Sequence, residues 1–288
     1  MLTMLLALDI GNSSISVGVF DSWSDNVTID APQHQFKISA KDISADEYAL
    51  QIYHFLKLKN ILPAEQSLYS EFSGLALNEV PRIHYAVIAS VVPSLTPVLA
   101  KAAELLTGKA PFVICAGIKT GFGIRIKNPE QLGADIVANA AWAVDHVPAP
   151  LVILDVGTAS TLTVIDSSKN LIGTIIMPGI QVSLQALAGS AAQLSDIPLS
   201  APEILIGRDS AESVRSGVVI GHCLMVDGFL RNIRESFAKK SENSKFSLIS
   251  TGGLSNVILP HLRNRFTNIE PLTLLGAAKI FALNYKKH

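Results

Sequence analysis

Short apolar runs that end in polar turns recur along the chain. They alternate with segments whose apolar residues return every three to four positions. Strands are expected at residues 5–8, 16–20, 85–89, 112–115, 151–154, 161–165 and 246–250, and helices at 45–58, 95–106, 133–147, 212–237 and 274–285. Loops are expected at 22–32, 194–203 and 239–245, where polar residues and prolines gather. Strand and helix patterns alternating through the whole length give an α/β class.

One pattern occurs twice. Leu5-Leu6-Ala7-Leu8-Asp9-Ile10-Gly11-Asn12-Ser13-Ser14 opens the chain, and Leu151-Val152-Ile153-Leu154-Asp155-Val156-Gly157-Thr158-Ala159-Ser160 repeats it. Each copy is a buried strand, a tight turn and a returning strand, and such a turn can hold an anion against its backbone N–H groups. Two copies imply two similar lobes, 1–148 and 149–288, meeting at Pro148-Ala149-Pro150, with a nucleotide cleft between them. Gly11 and Gly157 leave room for phosphate oxygens. Asn12, Ser13, Ser14, Thr158, Ser160 and Thr161 add neutral donors. Asp9 and Asp155 would repel a phosphate directly, so they make sense as holders of a cation or of its water shell. An ordinary hairpin explains either copy alone; the matched pair argues for phosphate.

Composition narrows the picture. Of 288 residues 49% are hydrophobic and 16% charged, and 23 basic residues against 24 acidic ones leave a net charge of -1. No basic stripe points to nucleic acid. The N-terminal apolar run lacks a basic leader and flows into Asp9, so it reads as a strand. No apolar stretch reaches the roughly 18 residues of a membrane span. A soluble cytoplasmic protein is expected, with Cys115 and Cys223 as buried free thiols. There is no Gly-x4-Gly-Lys-Ser/Thr loop, Gly121-Phe122-Gly123 is not completed to GxGxxG, and neither Gly-x-Ser-x-Gly nor HExxH occurs.

An ordered series of motifs resembles the type III pantothenate kinases. Asp9-Ile10-Gly11-Asn12-Ser13 is similar to that family's first phosphate motif, and Ala89-Ser90-Val91-Val92-Pro93 to its SSVVP segment. Asn128-Pro129-Glu130-Gln131-Leu132-Gly133-Ala134-Asp135 resembles its Pro-x-x-Leu-Gly-Ala-Asp-Arg motif up to the last residue. Asp155-Val156-Gly157-Thr158-Ala159-Ser160-Thr161 resembles DxGTAxT. Gly173-Thr174-Ile175-Ile176-Met177-Pro178-Gly179, Gly207-Arg208-Asp209-Ser210 and Thr251-Gly252-Gly253 follow in family order. The resemblance implies an actin-like (ribonuclease H-like) fold, a homodimer, and phosphorylation of pantothenate by ATP with Mg²⁺ and a monovalent cation, K⁺ or NH4⁺. It implies that Asp9, Ile10, Gly11, Asn12, Ser13, Ser14, Ile15, Ser16 and Thr158 contact ATP and that Asp155 binds the monovalent cation. Gly133, Ala134 and Asp135 would line the pantothenate site, with Asp135 accepting the hydroxyl proton. The alternative role for Asp135 is capping of the helix that follows it.

Three acceptor-site positions depart from the family pattern. Ile136 stands where an arginine is expected, Ile126 where an aromatic residue is expected, and Ser210 where a threonine is expected. A charge-assisted hydrogen bond to the carboxylate contributes about 1.5–3 kcal/mol, so losing one arginine is a weakening of about 10- to 150-fold. Arg125 and Lys127 are candidate replacements, although in an extended run they face away from Ile126. Three readings stand at this point: a pantothenate kinase with rearranged carboxylate recognition, a kinase for another small hydroxyl acceptor, and a catalytically impaired nucleotide-binding regulator.

Overall fold

The computed structural model describes residues 4–20, 31–59, 61, 83–190, 197–239 and 245–285. Within the expected loops, residues 22–30, 194–196 and 240–244 lie outside these. The chain begins β1 (Met4–Ile10), β2 (Ser14–Phe20), β3 (His34–Ser39), α1 (Ala45–Leu58), β4 (Ile83–Ser90), α2 (Thr96–Thr107) and β5 (Phe112–Val113). It continues through β6 (Gly123–Ile124), α3 (Ala134–His146), β7 (Leu151–Val156), β8 (Ala159–Ile165), β9 (Asn170–Pro178) and α4 (Ile180–Ser190). The described elements end with α5 (Ser210–Arg215), α6 (Gly221–Lys239), β10 (Ser247–Thr251), α7 (Ser255–Ile258), β11 (Thr267–Asn268) and α8 (Leu272–Asn284).

These elements form two compact units. The first comprises residues 1–121, 128–142 and 271–288, and the second 122–127 and 143–270. The chain thus passes between units at several places, whereas a single boundary at 148/149 was expected.

The first unit is built on a sheet of order β3-β2-β1-β4-β5, with β1 antiparallel to β2 and parallel to β4. Leu5, Leu6, Ala7 and Leu8 are all fully buried, which a strand covered on both faces requires. Leu6, Leu8, Ile15, Val17 and Ile88 share a core with Tyr48, Ile52 and Leu56 of α1 and Leu99 and Ala102 of α2. α8 packs on β1, β2 and β4; Leu274 Cδ1 lies 3.0 Å from where a Cβ on Gly18 would sit. α8 is largely apolar, and Leu272, Leu274, Leu275, Ala277, Ala278 and Ile280 are buried, as suits a helix enclosed over most of its surface.

The second unit repeats the arrangement. Its sheet has the order β11-β10-β7-β8-β9-β6, with β7 antiparallel to β8 and parallel to β10. Reading outward from β7 reproduces the neighbours of β1, with β6 added beyond β9. Val152, Leu154, Leu162 and Val164 pack with Ile180 and Leu184 of α4 and Cys223, Val226 and Leu230 of α6.

Helical residues 210–239 pass through a π-helical turn at Ser216–Ile220. By length and composition alone this run would span a membrane. Its buried face, Val219, Cys223, Val226, Leu230 and Phe237, is instead part of the second unit's core. Of the two thiols expected to be buried, Cys223 is buried and Cys115 is exposed, at the end of the β5 segment.

Candidate phosphate turns and acceptor aspartate

Both Asp-x-Gly turns lie at the carboxyl ends of paired parallel strands, where ligands bind in open α/β sheets. In the first unit the Gly11 N–H donates to the Ser14 carbonyl at 3.0 Å, and Ile10 pairs with Ile15 across the turn. Ile10 and Ile15 are fully buried, so they anchor the hairpin and offer a ligand their backbone alone. Asn12 and Ser13 are exposed at the tip, with Asp9, Gly11, Ser14 and Ser16 half-buried.

In the second unit the Gly157 N–H donates to the Ala159 carbonyl at 3.0 Å, and Val156 pairs with Ser160. This loop is one residue shorter. Thr158 is exposed and Asp155 half-buried. Ser160 differs from its expected place beside Thr158: it is fully buried and alternates onto the face of Leu162 and Val164. Its hydroxyl has no hydrogen-bond partner among the described residues.

Two motifs that carried no role in the sequence brace the second turn. The Gly179 N–H donates to the Thr158 carbonyl at 3.1 Å, and a Cβ on Gly179 would stand 2.2 Å from that oxygen. Gly252 has φ 97°, and its Cβ would meet the Val156 carbonyl oxygen at 2.5 Å. Thr251 lies in register with Asp155, and the Leu254 N–H donates to the Val156 carbonyl at 3.2 Å.

The acceptor motif folds beside the first turn. The Val91 N–H donates to the Ile10 carbonyl at 3.1 Å, which fixes the Ser90-Val91-Val92-Pro93 segment against the end of β1. Val91 Cγ1 in turn sits 3.3 Å from where a Cβ on Gly133 would be, and Asp135 Oδ1 sits 2.3 Å from that point. Gly133 is therefore needed for Asp135 to hold its place. The Gly133 carbonyl accepts from the Val137 N–H at 3.1 Å, so this glycine opens α3 with no side chain to cap it. Asp135 supplies the missing acceptor, since its Oδ1 takes the Ile136 N–H at 2.7 Å. One carboxylate thus serves the first turn of the helix and stands in the motif expected to form the acceptor site. Burial pushes the Asp135 carboxyl above its ordinary value, and the Ile136 N–H pulls only partly against that shift.

Ala134 and Ile136 are buried, Ile136 to 7% exposure; a side chain so enclosed lies within the core. Ile126 belongs to the second unit, just past β6, and the chain there alternates exposed Arg125, half-buried Ile126 and exposed Lys127. Exposure alternates across the three residues, but the chain bends at Ile126 and Lys127, so the run is not extended. Ser210 is exposed in the first turn of α5. There Asp209 caps by accepting the Glu212 N–H at 2.8 Å, and Glu212 Oε2 accepts the Arg208 N–H at 2.7 Å. Asp9, Gly11–Ser16 and Gly133–Ile136 thus belong to the first unit, whereas Ile126, Asp155, Thr158 and Ser210 belong to the second.

Among the described residues no three His, Cys, Asp or Glu side chains come together. The donors at the two turns are carboxylate, hydroxyl, amide and backbone oxygens, with no thiol or imidazole. Such a set fits hard cations such as Mg²⁺ or K⁺ that share their shell with a nucleotide.

The paired sheets and their strand order define an actin-like (ribonuclease H-like) α/β protein. The solved structure of the (R)-2-hydroxyglutaryl-CoA dehydratase component A from Acidaminococcus fermentans shares this fold, with a TM-score of 0.52 at 10% identity over 98% of each chain. The type III pantothenate kinase model matches residues 5–232. The type III pantothenate kinase of Shouchella clausii is 32% identical over 98% of this chain and 100% of its own length. That of Thermomicrobium roseum is 34% identical over 95% of each. The chain belongs to the type III pantothenate kinase family.

Proposed function

We propose that this protein transfers the terminal phosphoryl group of ATP to the hydroxyl of pantothenate, giving 4'-phosphopantothenate at the first step of coenzyme A biosynthesis. The observation that carries the reading is the assembly of the first Asp-x-Gly turn, Val91, Gly133 and Asp135 at one end of the first unit's sheet. Asp9 to Ser16 and Thr158 bind ATP, with Asp155 holding the monovalent cation. Gly133, Ala134 and Asp135 line the acceptor site. Mg²⁺ and K⁺ or NH4⁺, when bound, offset phosphate charge. In the transfer the acceptor oxygen bonds to the γ-phosphorus as the bond to the β,γ-bridging oxygen breaks, and ADP leaves. Asp135 takes the hydroxyl proton; a carboxylate raised by burial is a stronger base than a solvated one. The protein acts as a homodimer in the cytoplasm.

The test is an ADP-release assay with and without pantothenate, on the wild type and on Asp135→Asn. Pantothenate-dependent ADP release that disappears in the variant supports the reading, and release independent of pantothenate overturns it. The burial of Ile136 favours one second reading, in which the acceptor carries no carboxylate to be met at this position. Turnover of an uncharged amide of pantothenate in preference to pantothenate itself would select it.

A further inference from the structure

We infer that Thr273 and Asn139 are positioning residues for the acceptor aspartate, and that α8 sets the orientation of α3 through them. The inference rests on the assignment of Asp135 as the proton acceptor. α3 carries Asp135 in its first turn, and Asn139 follows four residues later on the same face. Asn139 is 2% exposed. Its Oδ1 accepts from Thr273 Oγ1 of α8 at 3.0 Å, and Thr273 is itself 8% exposed. The two helices cross at backbone contact, since a Cβ on Gly276 would lie 1.8 Å from the Ala138 carbonyl oxygen.

These features constrain different motions. The Gly276–Ala138 contact sets how closely the helices approach. It is nonpolar on the glycine side and acts together with the packing of the buried Val137, Ala138, Ala140 and Ala141 of α3. The Thr273 hydroxyl adds a directional constraint on the roll of the helix, because a hydrogen bond to Asn139 weakens steeply once its geometry is lost. At the N-terminal end Gly133 contributes no side chain, so the orientation of Asp135 follows the roll of the helix. A roll of about 20° moves an atom about 5 Å from the axis by roughly 2 Å. A displacement of about 1 Å can cost a catalytic group on the order of 100-fold.

The experiment compares steady-state kinetics of the wild type, Thr273→Val and Thr273→Ser, with Asp135→Asn as reference. Valine keeps the shape of threonine and removes the donor, whereas serine restores it. We expect kcat to fall at least about 10-fold in Thr273→Val with the KM for ATP unchanged, and to recover in Thr273→Ser. A folded Thr273→Val with kcat within twofold of wild type, beside an inactive Asp135→Asn, overturns the positioning role and leaves the proposed reaction standing. An active Asp135→Asn overturns both. If the valine variant does not fold, Thr273→Cys, a weak donor of similar size, takes its place under the same criteria.

Discussion

The two hairpins opened by β1 and β7 share an Asp-x-Gly bend and have different means of support. A Cβ on Gly11 would stand 3.2 Å from the Ser14 carbonyl oxygen, and one on Gly157 3.5 Å from that of Ala159. Neither glycine has a left-handed backbone. Behind the second turn, by contrast, Gly179 and Gly252 leave no space for a methyl group. Behind the first, the support comes from backbone bonds, the Val91 N–H to the Ile10 carbonyl and the Ala40 N–H to the Ser13 carbonyl. The fold therefore has little need of the glycine in Asp155-Val156-Gly157, which is consistent with its proposed use in leaving room for a ligand. The glycines that the fold does need lie in other motifs, away from the bend.

The largest effect that separates the units is expected at their aspartates. Asp135→Asn in the first unit should lower kcat by roughly 10²- to 10⁴-fold with the KM for ATP nearly unchanged. Asp155→Ala in the second should raise the KM for ATP and abolish stimulation by K⁺. Steady-state kinetics with and without K⁺ check this, and the same signature in both variants would erase the distinction.

Asp135 also gives a pH signature. Its carboxyl is raised in the folded state, so the native protein binds more protons than the unfolded chain as pH rises from the ordinary aspartate range to the raised value. Stability declines across that window and stays lower above it. Asp135→Asn, which retains an acceptor for the Ile136 N–H, should then melt at or above the wild-type temperature at neutral pH. The wild-type kcat should fall on the acid side at a pH above the usual aspartate range. An acid limb at the ordinary aspartate value would place the titrating group elsewhere.

The glycines give the next contrast. Gly252→Ala should destabilise the protein by about 2–5 kcal/mol through positive φ and overpacking. Gly157→Ala should unfold within about 1 kcal/mol of wild type while binding ATP more weakly. Urea unfolding beside nucleotide titration checks both, and equal stabilities would remove the proposed division of labour.

The smallest effect concerns the cysteines, one in each unit. Cys115 is exposed, whereas burial pushes the Cys223 thiol up to about 12 and its Sγ–H donates to the Ile258 carbonyl at 3.5 Å. A thiol reagent should label Cys115 in the native protein and Cys223 only after unfolding. Rapid modification of both would contradict the buried setting.

Local signals in the sequence were strong where they agreed with one another. α1 begins where Ser44 and Glu47 form a reciprocal cap, with Ser44 N–H to Glu47 Oε2 at 2.9 Å and Glu47 N–H to Ser44 Oγ at 3.2 Å. It spans the residues that periodicity alone suggests. The two hairpins were likewise visible as a repeat. β9 was not, because Gly173 and Pro178 make Gly173–Gly179 resemble a loop. Its proline is tolerated at the last position of the strand. β3 is short and carries only Phe36 and Ile38 as apolar positions, and α4 has no charged residue to mark an outer face. The mutual crowding of Gly133, Asp135 and Val91 and the burial that raises Asp135 involve residues over 40 positions apart. No local pattern encodes them.

α8 gives the order of synthesis a structural consequence. The central strand β1 and its neighbours β2 and β4 are made within the first 90 residues, yet the helix that packs on them, α8, is residues 272–284. A chain emerging from the ribosome therefore carries this sheet with α8 still missing while the whole second unit is made. The second unit can close as soon as β11 is out; the first cannot close until the last helix arrives. The first unit to be started is thus the last to be finished. A nascent chain halted before residue 272 would present Leu5, Ala7 and Val87, residues alternate to those in the α1–α2 core, to whatever apolar surface it meets.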